Sequence, residues 1–334
     1  MRKNETMRAA DTRSVRELSR MLQKPPWPAA YAVAIRQVPR SESAWAGSAV
    51  MILRMRSDHC HPTENPAPAS SMLIGPQDPP VYTAIAGAST RTVLLCDHAS
   101  AVVPEALSRL GLPDHEFERH IAIDLHAAEV TRRLAAHLQA PAFLHGYSRL
   151  VIDANRSFDD PTLCPEISDG SVVPGNVGLA AVERAQRWRK IHQPYHRAIA
   201  DWLRPRLDAG ESPALISIHS FAQELGGQAR RWPIAVLWNR DGRMALPFMR
   251  ALRESDGLDV GDNEPYSGRV GFGYTIATHA ERRGLPHLLI ELRQDVIAGE
   301  AQSEHWAALI ARRLAPLLDD PMLYRRFEPC AVDC

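Results

Sequence analysis

From about residue 90 onward, the apolar positions of this chain alternate between two patterns. Short continuous runs predict strands covered on both faces: "VLLC" (93–96), "LVID" (150–153), "LISI" (215–218), "IAVL" (234–237) and "HLLI" (287–290). Longer segments carry apolar residues at helical spacing: 114–141, 179–210, 243–255, 276–284 and 303–318. A shorter helix is expected in "PEALSRLG", with Pro104 at a first helical position and Gly111 as a stop. Pro194 should break or kink the long helical region 179–210. Residues 260–275, "VGDNEPYSGRVGFGYT", are Gly-rich and read as a loop. Strands alternating with helices predict an α/β fold: a three-layer α/β/α sandwich around a mostly parallel, mixed sheet.

The first 88 residues break this rhythm. Residues 1–56 hold eleven Lys and Arg against four Asp and Glu, and residues 61–80 hold six prolines. Such a stretch buries too little apolar area to offset its ordering entropy. It reads as a disordered, Pro-rich, basic extension with one short helix in "TRSVRELSRMLQ", or as the product of a start codon placed too early, the true start being Met72; a basic targeting or interaction tail is the lesser reading. Residues 89–320 form the expected single domain, and 321–334 a tail.

Composition narrows the class. Lys+Arg and Asp+Glu are both 39 in 334 residues, so no global field draws nucleic acid or an anionic membrane. No run of 18 apolar residues spans a bilayer. Five scattered cysteines without a CxxC pair fit a reduced, cytoplasmic chain.

The candidate chemistry sits where the strands stop. "VLLC" runs into Asp97 and His98, "LISI" into His219, and "HLLI" into Glu291 with Arg293 beyond. "LVID", read as a fourth strand, runs into Asn155 and Arg156. Parallel strands put these ends on one edge, where open sheets bind ligands. Two imidazoles with carboxylates suit Zn²⁺ with a water on its open position, and other divalent metals can be held by the same ligand set. Asp124 is the candidate third ligand, because it interrupts the apolar patch of Ile121, Ile123 and Leu125. An N-cap for a helix starting at Leu125 explains it equally well. His192 and His196 have helical i,i+4 spacing, but lack the Glu of H-E-x-x-H, and Pro194 lies between them. No G-x-S-x-G supports a serine hydrolase.

These segments also resemble a known family. "LLCDHASAVVP", "HIAIDLHAAEV", "YSRLVIDANR", "SDGSVVPGN", "KIHQPYH", "SIHSF", "DNEPYS" and "LLIELRQDVI" occur in the order found in the N-formylglutamate amidohydrolase family. The resemblance spans about residues 90–315 and implies a zinc-exopeptidase-like hydrolase acting on a small N-acyl amino acid, with a place in histidine degradation. It implies metal ligation by His98, Asp124 and His219, Glu291 as general base, and Asn155 with Arg156 on a substrate carboxylate. Arg293 or Arg230 is then expected at a side-chain carboxylate or the oxyanion, and His196 and His279 as further contacts. Three departures stand out: Asp97-His98 where the family often has Glu-His, His126 near a common Gly, and Arg231 before Trp232 where Pro is expected. A deacylase or peptidase on a bulkier acyl group, and a non-catalytic metal-binding or interaction protein, are the alternatives. No nucleic-acid or membrane partner is expected, and the oligomeric state is open.

Overall fold

The structure, a computed structural model, describes residues 72–225, 227–270 and 273–327. Seven strands form one mixed sheet: β1 Tyr82–Ile85, β2 Thr92–Cys96, β3 Ala142–His145, β4 Ala214–Phe221, β5 Ile234–Leu237, β6 Val260–Asp262 and β7 His287–Arg293. Their order is β1-β3-β2-β4-β7-β5-β6. β3, β2, β4 and β7 run parallel to their neighbours within this group. β1 pairs antiparallel with β3, and β5 antiparallel with β7. The three strands expected to deliver the candidate site, β2, β4 and β7, are therefore adjacent and parallel.

The described residues form six α-helices: α1 Ala127–Leu138, α2 Ala181–Arg187, α3 Gln193–Asp208, α4 Ala245–Asp256, α5 Tyr274–His279 and α6 Glu300–Asp319. Side chains alternate across a strand, so each buried strand serves two cores. Leu94, Cys96, Ile216, Ile218 and Ile290 pack under α1, α4 and α6. Val93, Leu95, Leu215 and Leu289 pack on the other face, under α3 and α5. These are the three expected layers. A further core of Leu110, Ile121, Tyr147, Leu150, Val151, Ile152 and Leu163 lies under the loops.

Several expectations change. "LVID" is not a strand: residues 148–155 turn repeatedly, and the strand of this region is β3, a few residues earlier. Ser148 directs this outcome. Its Oγ donates to Ala122 O and accepts from Leu150 N, while its carbonyl accepts from Val151 N. The backbone is satisfied locally, and the apolar side chains are buried beneath a loop instead of a sheet. Segment 114–126 is not helical throughout; a short 3-10 turn, Asp114–Glu118, is followed by loop until α1. "PEALSRLG" forms a 3-10 turn at the expected place, with left-handed residues at 108–110. The long helical region breaks as expected, through a π-helical turn Trp188–His192 just before Pro194. β1 lies inside the stretch expected to be an extension. The "TRSVRELSRMLQ" helix falls outside the described residues.

Candidate metal centre

Asp97 and His98 follow β2 directly, and His219 lies within β4. Glu291 in β7 stands directly across from His219. Ile218 and Ile290 fill the α1/α4/α6 face, so His219 and Glu291 both point to the opposite one. Asp124 comes from the loop before α1. It does not cap that helix with its side chain: α1 begins at Ala127, after His126 in a left-handed conformation (φ 63°). A glycine adopts that conformation without strain, which gives the departure at His126 a structural meaning.

The three expected ligands come together. Asp124 Oδ2 lies 3.2 Å from His98 Nδ1 and 2.9 Å from His219 Nδ1. One donor atom from each of the three residues lies within 4.8 Å of the others, and all three are buried. The opposite nitrogens are backed by carboxylates. His98 Nε2 donates to Asp153 Oδ1 at 2.7 Å, and His219 Nε2 is 3.3 Å from Asp97 Oδ2. Metal-binding imidazoles are oriented in this way, with one nitrogen on the ion and the other on an acceptor. Two Nδ1 atoms and one carboxylate oxygen also match the donor set of a catalytic zinc. The residues therefore fit such an ion.

A network supports these groups. Arg149 donates to Asp124 Oδ1 at 3.3 Å and to Asp153 Oδ2 at 2.9 Å, tying together the two acids that flank His98. Tyr195 donates its hydroxyl to Asp97 Oδ1 at 2.8 Å. Burial alone would raise all three acids. For Asp97, the adjacent His219 ring reverses this and brings it to about 2. His98, with His219 for Asp124 and Arg149 for Asp153, holds those carboxyls well below the usual range. Burial would lower both imidazoles, and Arg149 adds to this at His98, yet the carboxylates win and both rings are raised. Glu291 differs. Burial pushes its carboxyl up to about 7, and its Oε2 is buried with no hydrogen-bond partner among the described residues.

The other expected residues lie around this centre. The turn after Asp153 is held at three consecutive carbonyls: Ala154 O accepts from His196 Nε2, Asn155 O from Tyr274 N, and Arg156 O from His192 Nε2. Asn155 Oδ1 accepts from Thr275 N, so its side chain anchors the start of α5. His279 is hydrogen-bonded to His196 through its Nε2 at 2.9 Å, the rings nearly parallel. Burial pushes His279 down to about 3 and also lowers His196. Arg156 donates through Nε to Thr162 Oγ1 and is partly exposed. Arg230 donates to Tyr266 OH at 3.0 Å and lies over that ring. Arg293 is engaged by Asp295 and by the carbonyls of Arg230 and Arg231.

Asp153 and Arg149 are the main residues that sequence reasoning missed. The signal was present: Asp153 ends an apolar run, just as Asp124 interrupts one, and Arg149 is four residues before it. Reading 150–153 as a strand concealed it.

Comparison with known proteins places the chain in a family. A family model described as N-formylglutamate amidohydrolase matches residues 90–298. Among solved structures, gene product Atu2144 from Agrobacterium tumefaciens is 29% identical with a TM-score of 0.71, over 74% of this chain and 98% of that one. The N-formylglutamate amidohydrolase from Ralstonia eutropha JMP134 superposes more loosely, at TM-score 0.49 and 20% identity, over 71% of this chain and 95% of that one. A bacteriophage poly-gamma-glutamate hydrolase reaches 0.36 and 9%, over 71% and 89%. No curated protein matches. Among the described residues, no helix is long and apolar enough to cross a membrane.

Proposed function

Since the chain belongs to the N-formylglutamate amidohydrolase family, we propose that it hydrolyses the amide bond of N-formyl-L-glutamate, giving formate and L-glutamate, with zinc held by His98, Asp124 and His219. The observation that carries this reading is the convergence of two Nδ1 atoms on Asp124 Oδ2 beside an unpaired buried acid, Glu291. A zinc ion supplies two things there: it polarises the amide carbonyl and lowers the pKa of water to about 7.

The chain's own residues do the rest. Asp153 and Asp97 flank the two rings so that each presents Nδ1, and Arg149 holds Asp124 and Asp153 in place by donating to both. Glu291 takes a proton from the attacking water and returns it to the leaving nitrogen. A carboxyl near 7 is matched to both halves of that task at neutral pH. Arg156 binds the substrate α-carboxylate through a planar fork that lysine lacks. Its backbone is fixed by the carbonyl clamp of His192 and His196, which His279 supports. Asn155 contributes by joining this turn to α5. Arg230, braced by Tyr266, meets the side-chain carboxylate. Arg293 holds the carbonyls of Arg230 and Arg231 and so positions that guanidinium.

Release of L-glutamate from N-formyl-L-glutamate by zinc-loaded protein tests the reading. His219→Ala should lose both bound zinc and turnover. Preference for long-chain over formyl substrates in a panel of N-acyl amino acids would contradict the substrate assignment.

A further inference from the structure

Asn263 opens the loop that carries Tyr266, directly after β6. Its backbone is left-handed (φ 54°), a conformation that Asn tolerates better than most residues. Its side-chain oxygen closes the loop at both ends. Oδ1 accepts from Gly268 N at 2.8 Å and from Trp238 N, just past β5, at 3.1 Å. Both donors are backbone N–H groups, so the atom that meets them is the carbonyl oxygen and not the amide nitrogen. Asn263 N adds a bond to Val236 O at 2.9 Å. Gly268 is pressed against the same place: a Cβ there would stand 2.8 to 2.9 Å from the oxygen, carbon and nitrogen of Trp238. The loop is thus latched to the end of β5 by one amide oxygen, with no room for a side chain at its far end.

Tyr266 lies between the two ends of this latch, partly buried. Its hydroxyl accepts from Arg230 at 3.0 Å, and that guanidinium stands 4.8 Å from the centre of its ring and 5.7 Å from that of Phe221. Phe221 ends β4, two residues after His219. Arg293, two residues after Glu291, holds the carbonyls of Arg230 and Arg231. Three groups therefore fix Arg230 beside the centre. Two belong to the strands that carry His219 and Glu291. The third belongs to a loop whose closure depends on Asn263.

We propose that Asn263 is a positioning residue that sets the preference for an acidic substrate side chain: by latching its loop to β5 it fixes Tyr266, and Tyr266 fixes Arg230 where the carboxylate is met. This rests on the reading above in which Arg230 binds the side-chain carboxylate of N-formyl-L-glutamate. The physical reason is preorganisation. A guanidinium already held in place loses less rotamer freedom when the carboxylate arrives. With the latch cut, Trp238 N and Gly268 N lose their acceptor, the loop loosens, and Tyr266 no longer braces the guanidinium. A substrate without the second carboxylate gains nothing from Arg230 and should not register the change.

The readout is the ratio of kcat/KM for N-formyl-L-glutamate to that for N-formyl-L-glutamine, its neutral isostere, with zinc-loaded protein. Asn263→Gly keeps the left-handed backbone and removes the oxygen. The ratio should fall about 10- to 100-fold, the worth of a hydrogen bond to a charged group, mainly through KM for N-formyl-L-glutamate. Asn263→Asp keeps an acceptor and tolerates the same backbone, so its ratio should stay within about threefold of wild type. Gly268→Ala drives a methyl into the Trp238 backbone and should lower the ratio from the other end of the loop. In Arg230→Ala the ratio should already be low, and adding Asn263→Gly should lower it no further. An unchanged ratio in Asn263→Gly, equal losses on both substrates, or a variant that does not fold would each overturn the proposal, the last two by showing that the latch serves the fold at large. A wild-type ratio in Arg230→Ala, or no preference between the two substrates in wild type, would remove the parent reading and this role together. A low ratio in Arg230→Ala with a wild-type ratio in Asn263→Gly would remove this role alone.

Discussion

Asp153 holds His98 from behind: its Oδ1 lies 2.7 Å from the ring's Nε2, leaving Nδ1 facing Asp124. The acid is nearly fully buried and shares Arg149 with Asp124. Removing it frees the ring to rotate and leaves Arg149 short of a partner. Asp153→Ala should weaken zinc binding by about 10–100-fold, as loss of such partners typically does. Competition with a chromophoric chelator measures this. Unchanged zinc affinity would show that His98 is oriented by something else.

The charges of the centre predict how metal and pH interact. In chelated protein, His98 and His219 are raised above their ordinary 6.5, so their contribution to stability is complete below that value. It is lost as pH rises through their folded values. Asp97, Asp124 and Asp153 are lowered from 3.8, so theirs is present above that value and lost as pH falls through the folded ones. Chelated protein should therefore resist heat best between about pH 4 and 6.5. Zinc must displace the ring protons, so its stabilising effect should grow with pH. The gap in Tm between zinc-loaded and chelated protein should widen from pH 6 to 8. A gap that stays constant would contradict proton displacement from these rings.

Glu291 can be separated from the ligands by one conservative change. Glu291→Gln keeps the shape of the side chain but cannot accept a proton. Zinc content should match wild type while kcat falls by about 10²–10⁴-fold. A variant with near-normal kcat would remove Glu291 as the base.

The carbonyl clamp makes its own prediction. His196 donates to Ala154 O from a buried position, and His196→Leu leaves that carbonyl without its partner. The cost should be about 1–3 kcal/mol in denaturant unfolding. The turn carrying Arg156 loosens at the same time, so KM should rise more than kcat falls. A fully stable variant with wild-type KM would show that the clamp does not position Arg156.

Much of this centre was legible because its residues terminate or interrupt apolar runs. His98, His219 and Glu291 could be brought together from the ends of the apolar runs in β2, β4 and β7, although His219 and Glu291 lie inside their strands, which continue to Phe221 and Arg293. Asp124 could be suspected because a carboxylate among Ile121, Ile123 and Leu125 needs a partner. The same logic fails for 150–153, where apolar side chains are buried by a loop and Ser148 replaces the ladder with local bonds. Apolar content reports burial; it does not report how the backbone is satisfied. β1 was missed because four edge residues flanked by prolines and glycine carry little pattern. The Gln294–His120 and His196–His279 pairs join residues 174 and 83 positions apart, and local spacing holds no trace of them.

The most direct measurement is a zinc titration of chelated protein, following L-glutamate released from N-formyl-L-glutamate. Activity absent in the chelated protein should return in proportion to added zinc and level off at one equivalent, and His98→Ala should not respond. Full hydrolysis by protein stripped of metal, or no hydrolysis at any zinc level, would contradict the account.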